Sequence, residues 1–320
     1  MNFQKQAPSS WRKPPRLGRN VCAFRFGGAK LTCVCGPLQA ASEGNDAFYY
    51  DTDDAYNFYK ELWGGEHLHV GVYPEDIVPS PETVAGASEK ALETLLDLCA
   101  PAFKGKSVGK AMDMGAAYGG CAREMVKKYG CKVVCIELSK KENELNVQRN
   151  KEQGLEDMVI VPGELSFDDT KEESGTFDCV VSEDSILHAG KGRAQVVAEA
   201  ARVLRKGGLF VFSDPMQRDC VDAKELSAVY ARIGLDDMGS PASYVQWAAA
   251  AGMRFKQYVD FTEQIGNHYG TLKAMLQQDG IRARLKGKVS DKYIDAMING
   301  LEVMDSGCVF ENCCVRCGRG

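Results

Sequence analysis

Val108-Gly109-Lys110-Ala111-Met112-Asp113-Met114-Gly115-Ala116-Ala117-Tyr118-Gly119-Gly120 decides the fold. Residues 108–114 read as a short apolar strand, and residues 119–129 carry the apolar spacing of a helix. The glycines between them let the backbone turn tightly and approach a ligand closely. The same alternation continues downstream. Strands are expected at 132–137, 158–161, 177–182 and 208–213, with helices at 140–152 and 193–204. A helix over 87–99 precedes the run. Short apolar strands alternating with helices mean βαβ units and a parallel sheet with helices on both faces. Residues 216–240 break the rhythm. A helix at 244–251 and a strand at 254–261 restore it, and 267–303 looks helical.

In such a sheet the ligand lies beyond the carboxyl ends of the strands, where strand order reverses. The turn after Asp113 does not fit the dinucleotide G-x-G-x-x-G pattern. Glu137 ends the second strand, where a carboxylate can accept the two ribose hydroxyls of an adenosine-containing cofactor. Gly163-Glu164-Leu165 follows the third strand. Arg202-Val203-Leu204-Arg205-Lys206-Gly207-Gly208 leads into the fifth.

The chain has 320 residues, 44% hydrophobic and 26% charged, which excludes disordered and fibrous classes. No apolar run is long enough for a membrane helix. A net charge of −5 argues against general nucleic-acid binding. Before the first acid, Glu43, stand seven basic residues: Lys5, Arg12, Lys13, Arg16, Arg19, Arg25 and Lys30. An acid-free, Arg-rich stretch over 1–42 is expected to be an organelle transit peptide without a fold of its own. Plastid is the first reading, with mitochondrion or cytoplasm as alternatives. Of the 13 cysteines, Cys121, Cys131, Cys135 and Cys179 fall on expected helix and strand, as small hydrophobes. Cys308, Cys313, Cys314 and Cys317 crowd the C-terminus. A single C-x-x-C there is a weak zinc signal.

The turn Asp113-Met114-Gly115-Ala116-Ala117-Tyr118-Gly119 resembles the D/E-x-G-x-G-x-G loop of S-adenosylmethionine-dependent methyltransferases, with Ala117 in place of the middle glycine. Longer stretches are similar to the sarcosine/dimethylglycine N-methyltransferase family. They are Asp53-Asp54-Ala55-Tyr56-Asn57-Phe58-Tyr59, the W-G-G-E-x-x-H-V-G-x-Y run from Trp63 to Tyr73, and Ser182-Glu183-Asp184-Ser185-Ile186-Leu187-His188. Ser213-Asp214-Pro215-Met216, Asp237-Met238-Gly239-Ser240, Asn267-His268-Tyr269 and Gly300-Leu301-Glu302 also match. The family tends to S-Q-D-A-F-L-H where this chain has S-E-D-S-I-L-H. The likeness covers 46–302 and fades into the Cys-rich tail.

The resemblance implies an α/β, Rossmann-like class I methyltransferase sheet with a small helical substrate cap. It divides the chain into a leader (1–42) and one domain (43–320). Within that domain, 43–90 is an N-terminal lid segment, 91–215 and 242–262 the cofactor-binding core, and 216–241 with 263–303 the cap. The tail, 304–320, leaves the last strand open. The implied cofactor is S-adenosylmethionine, held by Asp113, Gly115, Ala117, Gly119, Glu137, Leu138, Glu164, Leu165 and Glu183. The implied reaction methylates sarcosine and then dimethylglycine, giving glycine betaine.

An amino acid's amine is protonated at neutral pH, so a histidine is the expected proton acceptor. His188 or His268 comes first, and His69 second. Trp63, Tyr73 or Tyr269 could face the developing cation, and Arg218 the substrate carboxylate. No metal is expected, for there is no H-E-x-x-H spacing. The expected partner is a small amine, with neither nucleic acid nor membrane, and the chain a monomer or homodimer. Two alternatives stay open: the same fold acting on phosphoethanolamine or a phenolic or prenylated ring, and a cofactor-binding pseudoenzyme.

Overall fold

The computed structural model describes residues 21–26, 29–34, 52–305 and 310–320. Within the leader, β1 (Val21–Phe26) and β2 (Ala29–Val34) pair as an antiparallel hairpin, where no fold was expected. The rest of the presumed transit peptide lies outside the described residues.

The domain proper opens with α1 (Asp53–Trp63) and α2 (Pro81–Phe103). Thr52 and Ser80 cap them, each side-chain oxygen accepting an orphan backbone N–H of the first turn. Then follow β3 (Lys110–Met114), α3 (Gly120–Tyr129), β4 (Lys132–Ile136), α4 (Lys140–Glu152), β5 (Val159–Ile160) and β6 (Phe177–Glu183). A 3₁₀ segment, Ile186–Gly192, leads into α5 (Arg193–Val203) and β7 (Leu204–Gln217). The short α6 (Ser227–Ile233) lies in the stretch where the rhythm breaks. α7 (Pro241–Ala250) and β8 (Met253–Asp260) come next. α8 (Thr262–Leu276), α9 (Asp279–Leu285), α10 (Asp291–Asp305) and β9 (Phe310–Arg319) complete the chain.

The sheet runs β5-β4-β3-β6-β7-β9-β8. β3 pairs in parallel with both β4 and β6, so the strand order reverses between β3 and β6. The crevice at the carboxyl ends of those two strands is where the chain from Gly115 and the chain from Glu183 come together.

The C-terminal tail is a correction to the sequence reading. Far from leaving the sheet open, it inserts as β9 antiparallel between β7 and β8. Its alternation has period two. Cys313, Val315 and Cys317 pack into the core on one face, and Cys314 into the core on the other. Cys314 and Cys317 therefore face opposite sides, and the C-x-x-C cannot close on one ion. The cysteines serve as small hydrophobes in a strand buried on both faces.

Helices cover both faces of the sheet. α2 and α3 pack on one, through Leu92, Leu95, Ala122 and Met125. α5 and α7 pack on the other, through Val196, Val197, Tyr244 and Ala248. A third core joins α1 to α6, α8, α9 and α10, through Phe58, Leu62, Val229, Leu272 and Leu301. Each such leucine contributes on the order of 1.5–3 kcal/mol by leaving water. This third core joins α1, from the expected lid segment, to helices of the two stretches expected as a cap.

Candidate functional site

The cavity at the strand reversal is lined by the turn after β3, the turn after β4, the turn after β6 and a strap from the lid segment. Sequence and geometry meet first at Gly115. Its φ is +77°, and a Cβ there would stand 2.4 Å from the Cβ of Ser185. Only glycine lets the β3 and β6 turns approach so closely. Ala117 holds the left-handed region at φ +42°, where an L residue is strained.

Glu137 fixes the next wall. Its Oε2 accepts the Ala117 N–H at 3.1 Å and its Oε1 accepts the Ser139 N–H at 2.9 Å. Ser139 in turn caps α4, accepting the Glu142 N–H at 3.1 Å. Glu137 also lines the cavity, where a carboxylate can accept from a ligand diol. Asp113 is buried, and its Oδ2 has no hydrogen-bond partner among the described residues. Burial first, then the charges of Glu183 and Glu137, push its pKa up to about 8. A glycine-walled turn, an oriented carboxylate and an unspent buried acceptor fit an adenosyl cofactor.

The turn after β6 brings Glu183, Asp184, Ser185 and His188 to the cavity. Asp184 sits at φ +47° just past β6. Its Oδ2 accepts the Val70 N–H at 2.7 Å, and its Oδ1 accepts the Ser213 hydroxyl at 2.7 Å. Burial raises both Asp184 and Glu183 above the usual carboxylate range. For Asp184, His69 and the Val70 amide oppose that rise.

The strap runs from Gly64 to Tyr73. Glu66 anchors it, its Oε2 accepting from the buried Arg123 Nη2 at 2.5 Å. Arg123 also donates to Asn146, Asn150 and the Tyr118 carbonyl. His67 and His69 follow, both lining the cavity. Burial lowers His67 to about 3, and lowers His69 as well, against the pull of Asp184 and the Val70 carbonyl.

Of the expected site residues, the cavity gathers Asp113, Gly115, Ala117, Glu137, Leu138, Glu183, His69 and His188. The others lie elsewhere. Gly119 is the N-cap of α3, at φ +75°. Glu164 is exposed and bridges Glu137 through the backbone. Leu165 packs against the sheet core, while Phe167 lines the cavity in its place.

His268 is buried one layer behind. Its Nδ1 accepts the Gly71 N–H at 3.3 Å and lies 2.8 Å from the Tyr73 hydroxyl. An Nδ1 that accepts from an amide carries no proton, so the neutral ring is protonated at Nε2. The His268 ring lies 5.3 Å from Trp63 and 5.1 Å from Tyr269. Trp63 and Tyr269 belong to the third core and not to the cavity lining. Arg218 is exposed and is not one of the cavity-lining residues.

Sequence reasoning missed Glu66, His67, Asp184, Ser185 and Phe167 as lining residues. Asp184 had a signal, standing one residue past Glu183 at the end of a strand. His67 had none beyond its H-x-H spacing.

The family description "Methyltransferase domain" matches residues 112–212. The sarcosine/dimethylglycine N-methyltransferase of Halorhodospira halochloris is 41% identical over 254 residues, 79% of this chain and 87% of that protein. The dimethylglycine N-methyltransferase of Parasynechococcus marenigrum is 37% identical over 82% of this chain and 89% of its own length. A crystal structure from Galdieria sulphuraria, described as a sarcosine dimethylglycine methyltransferase, superposes with a TM-score of 0.77 at 30% identity. That match covers 85% of this chain and 99% of the Galdieria one.

Proposed function

The chain belongs to the sarcosine/dimethylglycine N-methyltransferase family, and from that premise we propose how its cavity carries out the reaction. It is an S-adenosylmethionine-dependent methyltransferase that converts sarcosine to dimethylglycine and dimethylglycine to glycine betaine. The observation that carries the site reading is one cavity shared by the cofactor turn, Glu137 and His188.

S-adenosylmethionine supplies an electrophilic methyl on a sulfonium. Gly115, Ala117 and Glu137 would hold it, with Asp113 as the buried acceptor behind the turn. The substrate nitrogen must arrive with a free lone pair, so its proton has to leave first. His188 is our choice of acceptor, because it lines the same cavity as the cofactor turn and Glu137. A neutral imidazole beside the amine can accept the proton it must lose. For sarcosine the product nitrogen still carries a proton after transfer. For dimethylglycine it carries none, and the product is a fixed cation.

His268 serves differently. Holding the Gly71 amide through Nδ1, it positions the strap and presents Nε2–H as a donor. This supports reading His268 as a positioning residue. The acid-free, basic 1–42 segment supports a plastid address, which a fluorescent fusion tests by where the label collects.

The test of the site reading is turnover of the full chain with sarcosine and dimethylglycine. His188→Ala is expected to lower turnover more than tenfold, an ordinary general-base contribution. A smaller loss would remove His188 from the mechanism.

A further inference from the structure

The strap brings two imidazoles into the cavity two residues apart, and the end of β6 brings a carboxylate to meet them. One nitrogen from each of His67 and His69 and one Glu183 oxygen all lie within 4.8 Å of one another. His69 Nε2 stands 3.4 Å from Glu183 Oε1. For nitrogen and oxygen ligands at about 2.0–2.1 Å around a tetrahedral ion, the edge between two ligands is about 3.4 Å. That pair therefore already has the right spacing. A side-chain rotation of His67 closes the third corner.

Two details prepare the site. His69 Nδ1 faces the Val70 carbonyl at 3.3 Å. That places the proton on Nδ1 and leaves the lone pair on Nε2. A metal-binding histidine is oriented in the same way, by its other nitrogen donating to a backbone carbonyl. His69 is 6% exposed, and its Nε2 has no hydrogen-bond partner among the described residues. Gly120 leaves room for the His67 ring, since a Cβ there would stand 2.7 Å from the His67 Cε1.

We propose that His67, His69 and Glu183 form a three-ligand site for a divalent transition ion of the zinc class, with its fourth position open to the cavity. Two imidazoles and one carboxylate suit zinc and its neighbours. Magnesium and calcium prefer all-oxygen shells. Because these ligands line the same cavity as Gly115, Ala117 and Glu137, the ion and the cofactor exclude one another. The exclusion rests on the cofactor reading of the cavity, whereas metal binding does not.

The experiment titrates Zn²⁺ into the cofactor-free full chain by calorimetry, and Co²⁺ by its visible bands. One ion per chain is expected at this site, with tetrahedral Co²⁺ absorption. Glu183→Gln and His67→Asn should each weaken it at least tenfold. Cys220→Ser, which removes an exposed thiol, should leave it unchanged. Binding that persists in both ligand variants, or its absence in the parent, overturns the proposal. Thermal melts show whether each variant folds, and if Glu183→Gln does not, His67→Asn decides alone.

A cofactor titration with and without Zn²⁺ reads the second half. An apparent cofactor Kd that rises at least tenfold supports exclusion, and an unchanged Kd overturns it. Failure of the cofactor to bind metal-free protein would overturn the cavity reading and leave the zinc result standing.

Discussion

The Asp184 carboxylate accepts the Val70 N–H at 2.7 Å, across 114 residues of chain. That bond ties the strap to the end of β6, and the Ser213 hydroxyl ties the same carboxylate to β7. Two walls of the cavity and the neighbouring strand thus meet on one side chain. Asp184→Ala would strand two donors, at about 1–3 kcal/mol each when buried. It would also leave an alanine at φ +47°. Asp184→Asn keeps an acceptor and tolerates that backbone. Alanine is expected to lower Tm by several degrees and to weaken cofactor binding about tenfold, with asparagine between alanine and the parent. Thermal melts and a cofactor titration check this. Equal effects of alanine and asparagine would contradict the latch.

Ala117 tests backbone strain. Its φ of +42° costs an L residue roughly 1–2 kcal/mol. Glycine removes that strain but gives the unfolded chain about 0.4–1 kcal/mol of extra entropy. Ala117→Gly should therefore raise stability by up to about 1.6 kcal/mol, opposite to the usual sign for alanine to glycine. Chemical denaturation reads the difference directly.

Asp214 predicts a pH dependence. It is buried, with Oδ1 accepting the Leu187 N–H at 3.1 Å and Oδ2 bonded to the Tyr244 hydroxyl. Burial pushes its pKa up to about 8; Asp184 adds to the rise, while Tyr244, Leu187 and Arg193 oppose it. A carboxyl whose folded pKa is raised favours the fold while it is protonated. Its contribution is complete below the unfolded value of about 3.9. It is lost as pH rises through about 8. Asp214→Asn should flatten this loss between about pH 4 and pH 8. Denaturation midpoints of parent and variant across that range give the answer, and parallel curves would contradict it.

His188 and His268 should separate in kinetics. His188→Ala is expected to lower kcat and to remove the acid limb of the pH–rate profile. His268→Ala breaks the bonds to Gly71 and Tyr73, and should raise KM and lower Tm more than it lowers kcat. Initial rates from pH 5.5 to 9 with both variants decide between these patterns.

How much of this could be read in the chain depends on whether the cause was local. The strands ending at Met114 and Ile136 were legible because apolar runs and turn glycines sit side by side. Glu137 was legible because its place follows from the strand that it ends. β9 was not, since its cysteines suggest ligands or thiols until their alternation between two buried faces is seen. Asp184 and His67 act through partners far along the chain. Trp63, Tyr269 and His268 were drawn toward the cavity by their chemistry. Only the packing of α1 against α8 shows them as a layer behind it.

The central claim is methyl transfer to the nitrogen of small amino acids in the cavity between Glu137 and His188. The most direct measurement incubates the full chain with methyl-labelled S-adenosylmethionine and dimethylglycine, and follows products by mass. The account predicts labelled trimethylated product, formed together with S-adenosylhomocysteine in equal amount, and much less of it with His188→Ala. Cofactor binding without transfer to dimethylglycine or sarcosine would contradict it.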